Sequence, residues 1–324
     1  MCTAISYKNN KHYFGRNLDL EYSYEESVTI TPRNFPIRFR KEREFGKHYA
    51  MIGMAYVKDE YPLYYDAVNE RGLAMAGLSF PGNAVYRNED SHMYNVAPFE
   101  LIPWVLGQCE SGKSARKLLE KTNLLNMSFD RELQVTPLHF MLSDQNESIV
   151  IEPCEDGIVI RNNPVNVLTN NPPFLYQLHN LNNYISLSKK EPVNLFAREL
   201  SLETYSRGMG ALGLPGDLSS MSRFVRAAYV RWNLVDGRTE EENISQFFHI
   251  LSSVEQYKGC VLLENGKYEY TIYSSCCNTE LGIYYYKTYN NSRITAVDLR
   301  REDLESKKLI SYAVKRECRI DWDN

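Results

Sequence analysis

Two stretches decide the reading of this chain: Met1-Cys2-Thr3-Ala4-Ile5-Ser6-Tyr7-Lys8 and His12-Tyr13-Phe14-Gly15-Arg16-Asn17-Leu18-Asp19, separated by Asn9-Asn10-Lys11. Alternation over Thr3–Lys8 and His12–Asn17, with turn formers between, reads as a β-hairpin at the head of the chain. The consequence is chemical. Met1 precedes a small residue, so ordinary removal of the initiator makes Cys2 the first residue. It then carries a thiol and a free α-amine within a few ångströms of each other. An α-amine titrates near ~7.7, against ~10.4 for lysine, so it serves as a general base at neutral pH. One residue thus supplies both nucleophile and base. The hairpin returns Arg16 and Asp19 toward the same end. An arginine beside a thiol favours the thiolate, and an aspartate can hold the amine in place.

Further along, Leu63–Val68 and Leu73–Ser79 read as a second hairpin around Asn69-Glu70-Arg71-Gly72. Helical spacing follows at Phe99–Gln108 and Ser114–Lys121. Strands are expected at Leu138–Ser143, Ser148–Glu152 and Ile158–Arg161, and a helical block from Phe174 to about Ile185. Leu214-Pro215-Gly216-Asp217 is a turn by composition, leading into a mostly buried helix over Ser220–Leu234. Thr239 with Glu242 forms a capping box for a helix through about Ser253. Strands return at Glu269–Cys276, Gly282–Tyr289 and Arg293–Leu299. Clustered runs of each kind predict an α+β fold with largely antiparallel sheets, in one domain over residues 1–324.

Composition narrows the function. The chain has 324 residues, with 37 basic against 41 acidic side chains and a net charge of −4, which excludes a surface built to grip nucleic acid or an anionic membrane. No basic segment followed by an apolar stretch opens the chain, and no run approaches the ~20 apolar residues of a membrane span, so a soluble, cytoplasmic protein is expected. There is no C-x-x-C and no close histidine pair, the ligand spacing a zinc site would need. His139 and His249 sit in apolar contexts and read as core histidines rather than partners of a papain-like thiol. Most of the 24 tyrosines read as strand packing, and the adjacent Cys276 and Cys277 as buried thiols on opposite faces of a strand.

Seven blocks along the chain carry a family resemblance. They are Met1-Cys2-Thr3-Ala4-Ile5, Tyr13-Phe14-Gly15-Arg16-Asn17-Leu18-Asp19, Ile30-Thr31-Pro32-Arg33-Asn34, Tyr61-Pro62-Leu63-Tyr64-Tyr65-Asp66-Ala67, Val167-Leu168-Thr169-Asn170-Asn171-Pro172, Gly213-Leu214-Pro215-Gly216-Asp217-Leu218-Ser219-Ser220 and Ser222-Arg223-Phe224. In this order they resemble the choloylglycine hydrolase family of N-terminal-nucleophile hydrolases, which includes conjugated bile salt hydrolases and penicillin V acylases. The likeness is strongest to the bile salt hydrolases of gut Firmicutes. It implies a four-layer αββα sandwich and cleavage of the amide of glycine- or taurine-conjugated bile salts, in a homotetramer, with no metal or cofactor.

Carried over residue by residue, the resemblance makes Cys2 the nucleophile and places Arg16, Asp19, Asn170 and Arg223 at the catalytic centre. It makes the Asn170 amide and the Ser79 backbone N–H the oxyanion donors. Gly77-Leu78-Ser79-Phe80 departs from the family, where asparagine marks bile salt hydrolases and tyrosine penicillin V acylases at the position of Ser79. Leu20, Tyr24, Met54, Tyr56 and Phe80 are expected in the apolar substrate wall. The glycine-bearing loop Ser206-Arg207-Gly208-Met209-Gly210 is expected near the amino-acid end of the substrate. The rival activities are penicillin V or N-acyl homoserine lactone acylase, which share the chemistry, and a non-catalytic aromatic-rich binding protein, which does not.

Overall fold

The computed structural model describes all 324 residues. The strands are β1 (Cys2–Lys8), β2 (His12–Leu20), β3 (Ser27–Thr31), β4 (Met51–Lys58), β5 (Tyr61–Asn69), β6 (Ala74–Ser79), β7 (Tyr94–Val96), β8 (Thr122–Leu124), β9 (Leu138–Ser143), β10 (Ser148–Cys154), β11 (Gly157–Asn162), β12 (Val167–Leu168), β13 (Tyr270–Asn278), β14 (Ile283–Thr288), β15 (Thr295–Asp298) and β16 (Ile310–Ala313). The helices are α1 (Leu101–Gln108), α2 (Gly112–Leu119), α3 (Phe174–Asn180), α4 (Ser220–Asn233) and α5 (Glu240–Ser252). One sheet has six strands in the order β12-β1-β2-β13-β14-β15, the other eight in the order β11-β10-β9-β6-β5-β4-β3-β16. Both are antiparallel throughout. Helices α4 and α5 cover the first sheet, α1 covers the second, and β1 and β2 pack on β5 and β6 between them. The layers are therefore αββα, as the resemblance implies.

The expected elements at the head of the chain form with small shifts. Strands β1 and β2 pair with Cys2 facing Leu18 and Ala4 facing Arg16. Their alternation is not apolar-in, polar-out. Every residue of β1 up to Tyr7 is buried, and so is every residue of β2 up to Asp19. The six-stranded sheet is covered on both faces, so its polar positions are enclosed as well and must find partners. Asn17 donates from Nδ2 to the Leu251 carbonyl of α5 at 2.9 Å. Gly15 is required by close approach, because a Cβ there would lie 2.0 Å from the Ser275 carbonyl oxygen on β13.

Helix ends follow their caps. The Thr239–Glu242 capping box closes the start of α5, and Ser219 caps α4 through a bond from the Ser222 N–H. The helical block after Phe174 divides into α3 and a 3₁₀ turn over Leu181–Tyr184, in a run rich in asparagine, a weak helix former. Strands β3 and β4 have no counterpart in the sequence reading. Strand β4 is an apolar run from Met51 to Val57, which periodicity alone does not type, and β3 alternates over only five residues, with its polar positions Thr29 and Thr31 buried as well. Cys276 and Cys277 are buried free thiols as expected, but His249 lies on the exposed face of α5 rather than in the core. No helix is long and apolar enough to cross a membrane.

One buried histidine ties stability to pH. His12 is 1% exposed and bonds Ser6, Ser143 and Thr279 hydroxyls at 2.8–3.0 Å. Burial lowers its pKa from 6.5 to about 4. The unfolded chain therefore binds a proton that the fold refuses, so this contribution is intact above pH 6.5 and is lost as pH falls toward 4. Urea unfolding should show a loss on the order of 3 kcal/mol over that window from this group. His12→Asn should flatten that part of the profile. An unchanged slope in the variant would assign the acid loss to the carboxylates instead.

Candidate active site

Cys2 is 3% exposed and lies at the floor of a cleft of about 480 Å³. Its backbone nitrogen donates to Oδ1 of Asn170 at 2.7 Å. Asn170 follows β12, the edge strand that pairs with β1. The same Oδ1 accepts from Arg223 Nη2 at 2.8 Å, and two donors on one atom fix the orientation of the amide. Nδ2 then turns to the Ser79 carbonyl, 2.8 Å away at the end of β6.

Arg223, on the first turn of α4, is fully buried. Its Nη1 donates to the Cys2 carbonyl and to Thr3 Oγ1, both at 2.6 Å, and its Nε to the Leu218 carbonyl at 3.1 Å. Asp19 Oδ2 lies 3.9 Å from Nη1 and has no hydrogen-bond partner, while Oδ1 accepts from Thr271 at 2.6 Å. Burial pushes the Asp19 carboxyl above its usual value, against the opposing pull of Arg223 and the chain's amino group. Burial likewise lowers the pKa of Arg223, opposed by Asp19 and Cys2. The Asp19 carboxylate does not bond the Cys2 nitrogen, whose partner is Asn170. With Met1 attached, the Asp19 backbone pairs with Met1, and the Met1 amino group reaches Glu269.

Arg16 crosses from one sheet to the other. Pairing of β5 with β6 ends at Asp66 and Ala76. The next facing carbonyls, of Tyr65 and Gly77, both accept from Arg16 Nη1, at 3.0 and 2.6 Å. The guanidinium takes over where the ladder stops. Tyr65 is also the extra residue where the β4–β5 register shifts, a bulge that helps to part the strands. Nη2 of Arg16 is buried without a partner. Burial works against its charge, yet Cys2, Tyr273, Asp66 and Asp19 together raise its pKa above the usual value. On the other side of β6, Phe80 N–H bonds the Pro137 carbonyl at 2.8 Å. Antiparallel bonds alternate, so the N–H of Ser79 points away from β9 and into this gap.

The cleft wall departs from expectation in two places. Leu20, Tyr24 and Tyr56 line it, with Leu18 and Tyr65. Met54 does not. It shares a face with Tyr56 but lies further into the sheet, where the inter-sheet core closes over it. Phe80 is also turned away: it is 1% exposed and stacks on the ring of His139. No residue of the 206–210 loop reaches the cleft. The opposite wall comes from Met127, Phe129 and Glu132–Leu138, with Pro98, Phe99 and Ile102. Sequence reasoning missed this segment, which has no periodicity and no reactive residue to mark it.

A sequence profile described as linear amide C–N hydrolases, choloylglycine hydrolase family, matches residues 2–312. The chain belongs to the choloylglycine hydrolase family. It is therefore a hydrolase of linear amide C–N bonds, and the resemblance drawn from the seven blocks stands. It is 55% identical to the bile salt hydrolase/transferase of Lactiplantibacillus plantarum, over 98% of each chain. It is 34% identical to the bile salt hydrolase/transferase of Clostridium perfringens over the full length of both. A crystal structure of a mutant conjugated bile acid hydrolase from Clostridium perfringens superposes with a TM-score of 0.93, at 34% identity over all of both chains. Penicillin V acylase from Agrobacterium tumefaciens shares the fold, with a TM-score of 0.76 at 20% identity over 96% of this chain and 91% of that one.

Removing the Arg223 guanidinium would leave the Asp19 carboxylate and the Asn170 oxygen buried without their cation. Arg223→Ala should lower unfolding stability by about 3–5 kcal/mol, the usual result of breaking a buried pair from one side. A loss under about 1 kcal/mol in urea titration would place the pair among interactions of surface strength.

Proposed function

We propose that this choloylglycine-family amidohydrolase acts, as one domain over residues 1–324, on glycine- or taurine-conjugated bile salts, with Cys2 as nucleophile once Met1 is removed. The observation that carries the reading is the Cys2 thiol at the floor of a largely apolar cleft, with its own nitrogen held by Asn170. The bile-salt names of full-length relatives support the substrate class.

The reaction needs no group outside the chain and water. The Cys2 α-amine, directly or through a water, takes the thiol proton. The thiolate attacks the amide carbonyl, and the negative charge passes to the carbonyl oxygen. The Ser79 backbone N–H and the second Nδ2 hydrogen of Asn170 receive that oxyanion. As the C–N bond breaks, the protonated amine of Cys2 gives its proton to the leaving glycine or taurine nitrogen. A water then attacks the thioester, releasing the bile acid and restoring the thiol. Arg16, with one free donor, stabilises charge at the sulfur, and Arg223 and Asp19 hold the nucleophile's strand end in place. Leu20, Tyr24 and Tyr56 offer the steroid a flat apolar wall.

A homotetramer is proposed on the family likeness. Ile185, Leu195, Phe196 and Tyr205 are each more than 80% exposed, an apolar stretch that suits burial against another copy. All seven cysteines are free, which suits the reducing cytoplasm proposed for it. Light scattering on the purified enzyme should read four chains, and a monomeric mass would remove the tetramer.

The deciding test is a panel of glycocholate, taurocholate, penicillin V and an N-acyl homoserine lactone on the Met1-processed protein. Turnover should favour the bile salts, and a clear preference for penicillin V would move the substrate assignment. Cys2→Ala should be inactive with an intact fold, and full activity in that variant would end the nucleophile assignment. Asn170→Ala should lower kcat by roughly 10²–10³, the usual loss of one oxyanion donor.

A further inference from the structure

His139 on β9 is fully buried behind the site, and its surroundings are not those of an ordinary core histidine. Nε2 lies 2.8 Å from the Thr169 carbonyl oxygen. A carbonyl oxygen accepts and never donates, so Nε2 carries the proton. Nδ1 is buried with no hydrogen-bond partner and faces Glu152 Oε1 at 3.8 Å. Glu152 is itself 2% exposed and is held by the Phe174 N–H at 2.7 Å and by Arg161 Nε at 3.5 Å. The imidazole lies flat on Phe80, with centroids 4.2 Å apart and planes 7° apart. A leucine would fill the same space without an orphaned nitrogen, so packing does not require this residue.

The two neighbours of His139 explain its presence. Thr169 directly precedes Asn170, and Phe80 directly follows Ser79. The peptide between Thr169 and Asn170 is pinned at both ends, its C=O by His139 and its N–H by Ser220 Oγ at 2.8 Å. The Ser79 segment is pressed from behind by the stacked ring. We propose that His139, held by the Thr169 carbonyl and the Phe80 ring, is a positioning residue that sets the spacing and direction of Ser79 and Asn170 as oxyanion donors. This rests on the reading that those two receive the oxyanion. Gln177 bonds Asn170 and Thr169 independently, so the turn keeps its fold without the imidazole, and His139 adds fine alignment. Misaligned donors weaken binding of the charge that develops in the transition state while leaving substrate binding alone.

The experiment compares His139→Leu and His139→Gln with wild type on glycocholate, and follows iodoacetamide alkylation of Cys2 in parallel. His139→Leu should lower kcat roughly 10–100-fold, less than outright loss of a donor. KM and the alkylation rate should stay near wild type, since neither the wall nor the nucleophile is disturbed. His139→Gln, whose amide can still donate to Thr169, should recover most of the loss. If His139→Leu does not fold, His139→Phe carries the test. It keeps a flat ring against Phe80 but donates nothing to the Thr169 carbonyl, and kcat should fall with KM and alkylation held. A wild-type kcat with a lowered melting temperature would overturn the inference, as would a loss confined to KM or alkylation slowed in step with kcat. A wild-type enzyme that cleaves no conjugated bile salt would instead remove the reading beneath it.

Discussion

The buried guanidinium of Arg223 is the interaction on which the site depends. It bonds the first two residues of β1, the oxygen of Asn170 and the carbonyl of Leu218, and it faces Asp19 at 3.9 Å. A cation enclosed this completely is tolerated because nearly every donor has an acceptor and a carboxylate balances it. The result is a fixed starting point for the chain. A terminal nucleophile is otherwise the residue most prone to fray. Here α4, β2 and the turn after β12 hold it from three directions.

A second constraint shapes the space above the thiol. Strands β5 and β6 part beyond Asp66 and Ala76, and Arg16 fills the opening with bonds that the ladder no longer makes. The gap exposes the Ser79 N–H, presents its carbonyl to Asn170, and leaves Arg16 Nη2 free. Beside it, Asp66 accepts from Tyr273, Ser275 and Tyr284 across the sheet interface, so the parted region is braced by polar contacts between the layers. A regular, fully paired sheet would have left no room for a reacting carbonyl. The interruption of the ladder serves the function.

The chemistry and the specificity are built from different material. Every group proposed for bond cleavage sits on a strand, on the first turn of a helix, or in a turn bonded to both. The outer wall of the cleft, from Met127 to Leu138, is loop until β9 begins. Rigid elements hold reacting atoms to a fraction of an ångström, while a loop can change its apolar surface without moving them. His139 lies on one of these rigid strands, β9, behind the donors. It reads as core from the sequence, and its role lies in which two segments it touches.

Much of the fold was legible in the chain itself. The hairpin, the helix caps and the later strands followed from short-range pattern, because alternation and capping are local. The residues that the structure brings together around Cys2, namely Arg16, Asp19, Asn170 and Arg223, were also legible, because each lies in a distinctive short block. What the sequence did not reveal was long-range. Strand β4 is an apolar run without a clear period, β3 is a short alternation of five residues, Met54 and Phe80 are turned inward, and the wall from Met127 onward has no pattern. With Met1 attached, the Cys2 amide nitrogen donates to Asn170, a contact that no short-range pattern marks. The sequence determined which reactive groups exist and the strands and helices that carry them, since both are set within a few residues. Only the tertiary structure decided which groups meet, because a parted ladder and a buried guanidinium join positions that lie tens to hundreds of residues apart.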